Sequence, residues 1–347
     1  MPTLWFILVG FMLAMYVLLD GFDIGAGVVH LFAAKTDEER RMIIRAIGPV
    51  WDGNEVWLIA AGGTLFFAFP LLYASSFSGF YLPLIIVLWL LMLRGAAIEL
   101  RSHIANPVWA AFWDGVFAFG SVLLAFFFGA ALANVVRGVP LDQSHFFFEP
   151  LWTNFNPAAA IPGILDWYTI LIGLLALAAL TVHGANWISV KTEGALQQRT
   201  RRVARNGWFA TVALTLLSTI ATVALRPEMF TNFHNRPLGL LFPMLIVVGL
   251  VGAAWFTRRG RDRAAFASSG AFLLGLLASV AFGLYPDVLP AVNPTYSLTI
   301  GNSAAGHYGL VVGLIWWSIG MLLAIVYFTV TYWLFRGKVK LSGGERY

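Results

Sequence analysis

Nine stretches of this chain stay apolar for roughly the twenty residues that a helix needs to cross a bilayer. They cover about 4–33, 54–72, 77–100, 107–135, 158–188, 206–225, 238–257, 264–284 and 306–335. Nothing else in the sequence constrains the fold as tightly. Inside hydrocarbon each backbone amide must find its partner within the chain, and a helix provides that partner locally. Composition agrees. Of 347 residues, 59% are hydrophobic and 11% charged, against about 25% charged in a soluble domain. The chain reads as an all-α polytopic membrane protein. Several segments are longer than the bilayer requires and must tilt, kink or project.

The basic residues set an orientation. The loops after spans one, three, five, seven and nine hold Lys35, Arg40, Arg41 and Arg45; Arg94 and Arg101; Lys191, Arg199, Arg201, Arg202 and Arg205; Arg258, Arg259, Arg261 and Arg263; and Arg336, Lys338, Lys340 and Arg346. The other side holds only Arg137, Arg226 and Arg236. Basic loops stay cytoplasmic, so the N-terminus is expected outside and the C-terminus in the cytoplasm. The opening "MPTLWFILVGFMLAMYVLLD" lacks a basic leader and a small-x-small cleavage site, and reads as a retained first span. Cysteine is absent, which excludes disulfides, thiolate metal sites and a cysteine nucleophile.

An internal echo suggests a repeat. Span one ends in "VVHLFAAKTDEERR" and span five in "TVHGANWISVKTEGALQQRTRR". This predicts a first four-helix bundle over 1–136, an outer loop at 137–157, a second bundle over 158–285, another outer loop at 286–305, and a peripheral ninth helix with a cytoplasmic tail at 306–347. The aromatic "SHFFFEPLWTNFNP" is expected along the outer interface. The glycines of "GFDIGAG" lie in an apolar span and read as helix-packing positions.

Polar residues inside the spans must be paired, protonated or hydrated, because an ionised side chain at mid-bilayer costs about 2.5–3.5 kcal/mol. Span one carries Asp20 and Asp23. Span two opens with "GPVWDGNEVW", which contributes Trp51, Asp52, Asn54, Glu55 and Trp57. Span three ends with Arg94, Glu99 and Arg101. Two readings stand. In one, the acids are structural, with Arg94 or Arg101 pairing Glu99 at the water boundary. In the other, Glu99, Asp52 or Asp23 belongs to a proton path, since burial raises a carboxyl pKa. Asp114 and Asp166 are placed near the outer ends of their spans, as caps or interfacial groups.

Histidine bears on redox chemistry, because a membrane haem needs a buried axial ligand. Of His30, His103, His145, His183, His234 and His307, only His30 and His183 lie well inside helical segments, and no helix carries a pair at ligand spacing. No His-x-x-x-His or Glu-x-x-His pattern occurs. The expectation is that this chain ligates neither a metal nor a redox centre.

At "LLDGFDIGAG", "GPVWDGNEVWLIAAGGTLFFAFPLLYASSFSGFYLPL" and "LRGAAIELRSH" the chain resembles subunit II of the cytochrome bd-type quinol oxidases, including their cyanide-insensitive relatives. The resemblance is specific over about the first 105 residues and one of pattern beyond them. It implies a heterodimer in the bacterial cytoplasmic membrane. A haem-bearing subunit I would hold two b-type haems and one d-type, or three b-type, with the outer quinol site. The complex would oxidise quinol, reduce oxygen to water with cytoplasmic protons, and generate a gradient without pumping. Subunit II would share the two-bundle fold without the ligands.

The resemblance further implies that Asp52 and Asp23 sit in the polar interior of the first bundle. Glu99 matches an acid, often Asp, near the cytoplasmic subunit interface, where it would feed protons toward subunit I. Trp51 and Trp57 would fix the start of span two at the membrane surface. Relatives often carry Gln at the position of Glu55, and some carry Glu at that of Asp20. A small single-span accessory subunit, and a quinone or lipid held structurally, also belong to this picture. A proton-coupled secondary transporter is the competing reading, motivated by the membrane carboxylates and the echo. Its expected broken helices in matching halves are not matched by Pro70 and Pro243.

Overall fold

The structure, a computed structural model, describes residues 1–339. Lys340 and Arg346, counted above with the basic loops, lie outside the described residues. In chain order the helices are α1 (Pro2–Ala33), α2 (Asp37–Ile47), α3 (Trp51–Ala68), α4 (Pro70–Gly79), α5 (Tyr81–Leu100), α6 (Pro107–Arg137), α7 (Trp167–Lys191), α8 (Gly194–Leu225), α9 (Thr231–Asn235), α10 (Leu241–Arg258), α11 (Asp262–Leu284) and α12 (His307–Leu334). Eight of them are long and apolar enough to cross a membrane. The predicted second span is α3, which has 18 residues and carries Asp52, Asn54 and Glu55 in its first turns. Those groups lower its apolar content.

Several boundaries differ from the hydropathy reading, each for a local reason. Hydropathy places spans two and three at 54–72 and 77–100. Instead Pro70 stops α3, because a residue before proline is pushed out of the helical region, and Phe69 has φ −136 and ψ 66. The short α4 fills the gap and α5 starts only at Tyr81. Span five is expected from 158, but α7 begins at Trp167, where Asp166 caps it by accepting from the Tyr168 and Thr169 amides. Span six extends backward through the basic loop, since α8 already starts at Gly194. The loop after α1 contains α2, opened by a capping box between Thr36 and Glu39. The loop at 286–305, expected outside, includes a two-stranded antiparallel ribbon, β1 (Asp287–Leu289) with β2 (Leu298–Thr299).

α1 and α7 form the centre. α1 packs on α3, α6, α7 and α11, while α7 also packs on α6, α8 and α11; α5 lies on α6, and α10 on α11 and α8. α12 lies along α3 with most of its surface open. Lipid tails are as apolar as leucine, so membrane helices associate through close packing at small residues. Gly25 on α1 meets Gly184 on α7. A Cβ on either would overlap the other helix's backbone, including the Leu180 carbonyl oxygen. The glycines of "GFDIGAG" therefore act as packing positions.

At the end of the molecule carrying most basic residues, hereafter the basic end, Phe22, Val29, Ile43, Ile47, Phe117 and Trp187 form one core. At the opposite end Trp5, Phe69, Phe147, Leu289, Leu298 and Leu310 form another, joining the outer loops to the helix ends.

Overpacking a filled core costs about 1–3 kcal/mol, and backbone cannot rotate away as a side chain can. Gly184→Ala should therefore lower the thermal midpoint of the detergent-extracted protein by the upper end of that cost. Gly10→Ala, whose Cβ would meet nothing within 4 Å, should leave it unchanged. Fluorescence-detected size-exclusion after heating would read both.

Candidate functional site

Two adjoining polar groups occupy the interior between α1, α3 and α5. Arg94 on α5 is fully buried. It donates from one Nη to Asp20 on α1 at 2.6 Å and from the other to Glu55 on α3 at 3.1 Å. One turn along α1, buried Asp23 accepts from the Asn54 amide at 2.7 Å. The Asn54 carbonyl oxygen accepts in turn from the Tyr332 hydroxyl of α12 at 2.8 Å. Among the described residues, Asp20 Oδ2, Asp23 Oδ1, Arg94 Nε and the Tyr16 hydroxyl are buried with no hydrogen-bond partner. Polar atoms left in this state are costly. Such a group of atoms has the chemistry to hold protons or internal water, and it faces three helices.

A second cluster lies at the basic end. Asp114 on α6 accepts from Arg101 at 2.5 and 3.0 Å and from Arg40 at 3.1 Å. It also shares a 2.6 Å hydrogen bond with His30 Nε2. Arg101 reaches on to Asp37 of α2 at 2.7 Å. Hydropathy places Asp114 near an outer membrane end. The structure puts it at the basic end, beside the loop that carries Arg101.

A third cluster lies at the opposite end. Arg137 donates to Glu149 at 2.7 Å, to the Asn134 side-chain oxygen at 2.7 Å, to the Gly163 carbonyl at 2.9 Å, and to Asp166. It thereby pins the outer loop to α6 and α7. One guanidinium does not fully compensate two buried carboxylates. Burial pushes the Glu149 carboxyl up to about 8, with Arg137 pulling down and Asp166 adding to the rise.

The remaining residues singled out by sequence pattern fall elsewhere. The expected pairing of Glu99 with Arg94 or Arg101 does not occur, because both arginines find acids nearer the helix interior. Glu99 is exposed on α5, and its backbone carbonyl accepts from His103. Asp52 is also exposed, not in the bundle interior, because the helical turn at Trp51–Glu55 aims Asn54 and Glu55 inward instead. Trp57 is 6% exposed and packs against Met12, Tyr16 and Phe328. It is a core residue and not a surface anchor. Trp51 is half-buried beside Gly95 of α5. Sequence pattern does not reveal Tyr332, Tyr16 or the Arg137 cluster. For the last, a signal exists: Asn134 and Arg137 stand one helical turn apart at the end of an apolar span.

The two buried histidines are held differently. His183 uses both nitrogens, Nδ1 with the Ser269 hydroxyl at 2.8 Å and Nε2 with the Leu18 carbonyl at 3.0 Å. It also stacks on Phe266. His30 commits Nε2 to Asp114 and packs its ring edge on Phe117, while its buried Nδ1 has no hydrogen-bond partner among the described residues. Among the described residues no group of three or more His, Cys, Asp or Glu side chains is arranged to hold a metal ion.

With this geometry in place, comparison with known proteins decides the family. Residues 1–335 match the family model described as cytochrome bd terminal oxidase subunit II. The chain belongs to the cytochrome bd oxidase subunit II family. It is 35% identical to the cytochrome bd ubiquinol oxidase subunit 2 of Bacillus subtilis, over 88% of this chain and 87% of that one. It is 34% identical to a probable cytochrome oxidase subunit 2 of Haemophilus influenzae, over 93% and 91%. In three dimensions it is similar to the bd oxidase structure from Geobacillus thermodenitrificans, with TM-score 0.77 at 17% identity, covering 96% of this chain and 98% of that one. That last likeness is one of fold.

Removing one partner of a buried ion pair strands the other and costs about 3–5 kcal/mol. Arg94→Met should therefore nearly abolish accumulation of folded protein. Adding Asp20→Asn to it should restore part of the loss, as measured by membrane expression level and thermal midpoint.

The sign for Glu149 follows from its raised pKa. Between its ordinary value near 4.5 and about 8, the folded chain holds a proton that the unfolded chain releases. Stability should fall as pH rises through that window and level off above it. Glu149→Gln should flatten the dependence, and thermal midpoints from pH 6 to 9 would show it.

Proposed function

We propose that this chain is the non-haem-ligating subunit of a quinol:oxygen oxidoreductase in a bacterial cytoplasmic membrane. It works beside a haem-bearing subunit I that oxidises quinol and reduces oxygen to water. The observation that carries this reading is the family match over residues 1–335, with a relative at 35% identity named as a ubiquinol oxidase subunit. Both nitrogens of His183 and Nε2 of His30 are engaged in hydrogen bonds, which supports redox centres held in another chain. The proposed topology is nine spans in two four-helix bundles with α12 peripheral, the N-terminus outside and the basic end cytoplasmic. It rests on the basic-loop asymmetry and on counting α3, as the second span, with the eight long apolar helices.

Reduction of oxygen to water consumes protons, and the proposed reaction draws them from the cytoplasm. The residues proposed to handle them are Glu99, Asp52, Asp23 and Asp20. Glu99 and Asp52 are exposed carboxylates near the basic end, on helices whose remaining exposed residues are apolar, such as Val56, Ile59, Leu88 and Met92. A carboxylate on an apolar membrane face is stable only against water or a partner, which suits a contact with subunit I. Asp23 and Asp20 lie one helix layer deeper, with unpartnered oxygens. In this reading Asn54, Glu55, Arg94, Arg101, Trp51 and Trp57 hold the acids in place and have no chemical role. A small single-span subunit and a structurally held quinone or lipid complete the proposed assembly.

The test is to purify the tagged chain in mild detergent from its own membrane, identify co-purifying chains and record the reduced-minus-oxidised spectrum. Haem bands with a second large membrane chain are expected, and His183→Ala should retain them. A folded, colourless, solitary chain obtained with the haem subunit expressed would overturn the reading and favour a proton-coupled transporter. Glu99→Gln should slow oxygen consumption at least severalfold at unchanged haem content. Wild-type turnover would remove Glu99 from the proton path.

A further inference from the structure

We propose that the cleft between the start of α11 and the end of α12 binds the phosphate-bearing headgroup of an anionic phospholipid. The cleft measures about 410 Å³ and is lined by Val190, Asp262, Arg263, Arg336, Gly337 and Lys338. That is within the size range of small-ligand sites. Its single acid is already neutralised. Asp262 accepts from Arg201 at 2.7 and 2.6 Å and from Gln197 at 3.0 Å. Among the described residues the cleft lining therefore presents the positive charge of Arg263, Arg336 and Lys338 with no other acid. Lys338 is held in place by the Thr192 carbonyl at 2.7 Å, so part of the basic wall is fixed before any ligand arrives.

The level of the cleft argues for a lipid. Arg336 lies over the Trp333 ring at 4.6 Å, and Arg259 lies over Trp255 at 4.0 Å. Tryptophan with a snorkelling arginine marks the membrane–water boundary. Leading to the cleft, Leu322, Val326, Val330 and Leu334 follow one another at four-residue spacing on α12, each at least half exposed. That stripe offers acyl chains a path that ends where the phosphate would sit. Basic pockets between helices at the cytoplasmic surface recognise anionic headgroups in this manner.

The test uses the delipidated complex in neutral detergent, titrated by native mass spectrometry with phosphatidylglycerol, phosphatidylcholine or inorganic phosphate. Phosphatidylglycerol should bind more tightly than phosphatidylcholine. Each basic residue near an anionic headgroup contributes about a fivefold factor, so Arg263→Gln with Arg336→Gln should weaken phosphatidylglycerol roughly thirtyfold and leave phosphatidylcholine unchanged. Arg336→Lys keeps the charge and should retain most of the binding, which separates loss of the site from loss of the fold. Undiminished phosphatidylglycerol binding in the double variant overturns the proposal. So does inorganic phosphate binding as tightly as the lipid, which assigns the cleft to a soluble anion. Co-purification of a haem-bearing chain is read in the same sample, so failure here is distinct from failure of the oxidase assignment.

Discussion

The buried pair of Arg94 and Asp20 is the interaction on which the first half of the molecule depends. A guanidinium cannot shed its charge in hydrocarbon, so the fold must bring acids to it. Asp20 comes from α1 and Glu55 from α3, and meeting this requirement fixes the rotation of three helices about their axes at once. Apolar packing alone would tolerate several rotations, since lipid and leucine are nearly equivalent surfaces for a membrane helix. The two other clusters work in the same way at the two ends. Asp114 gathers α1, α2, α5 and α6, and Arg137 ties the outer loop to α6 and α7.

The long apolar helices are legible in the sequence because bilayer thickness sets their length, whatever they touch. What packs against what is less so. The echo between "VVHLFAAKT" and "TVHGANWISVKT" points to the helices that form the centre, and Gly25 and Gly184 make their contact. In both copies the Lys-Thr-acid step marks where the chain leaves one helix and starts another: Thr36 caps α2, while Thr192 and Glu193 separate α7 from α8. Proline and aspartate punctuation carries more weight than hydropathy suggests. Pro70 and Asp166 move helix ends by several residues because local capping and steric terms outweigh hydropathy at a boundary.

The polar residues are visible in the sequence by type but not by partner. Sequence spacing shows that Asp20 and Asp23, or Asp52 and Glu55, share a helix face. It does not show how that helix is rotated in the bundle. The structure sends Glu55 inward and Asp52 outward, and gives Arg94 to Asp20 instead of Glu99. Tyr332 stands 278 residues from Asn54, beyond the reach of any local pattern. The depth of His30 and His183 is legible in the sequence, but their partners Asp114 and Ser269 are not.

The charge count of the interior sets what this network must hold. Asp20, Asp23 and Glu55 lie about a single arginine, with Asn54 as the further hydrogen-bond donor to Asp23 and Tyr332 bound to Asn54. One positive charge cannot neutralise three carboxylates in a medium where each unpaired ion is costly. The remainder must be met by protons or by water held on the unpartnered oxygens of Asp20 and Asp23. A purely structural knot would be cheaper with one acid per arginine, as buried pairs gain little from extra charge. The surplus of acids is why Asp20 and Asp23 stand among the residues proposed above to handle protons.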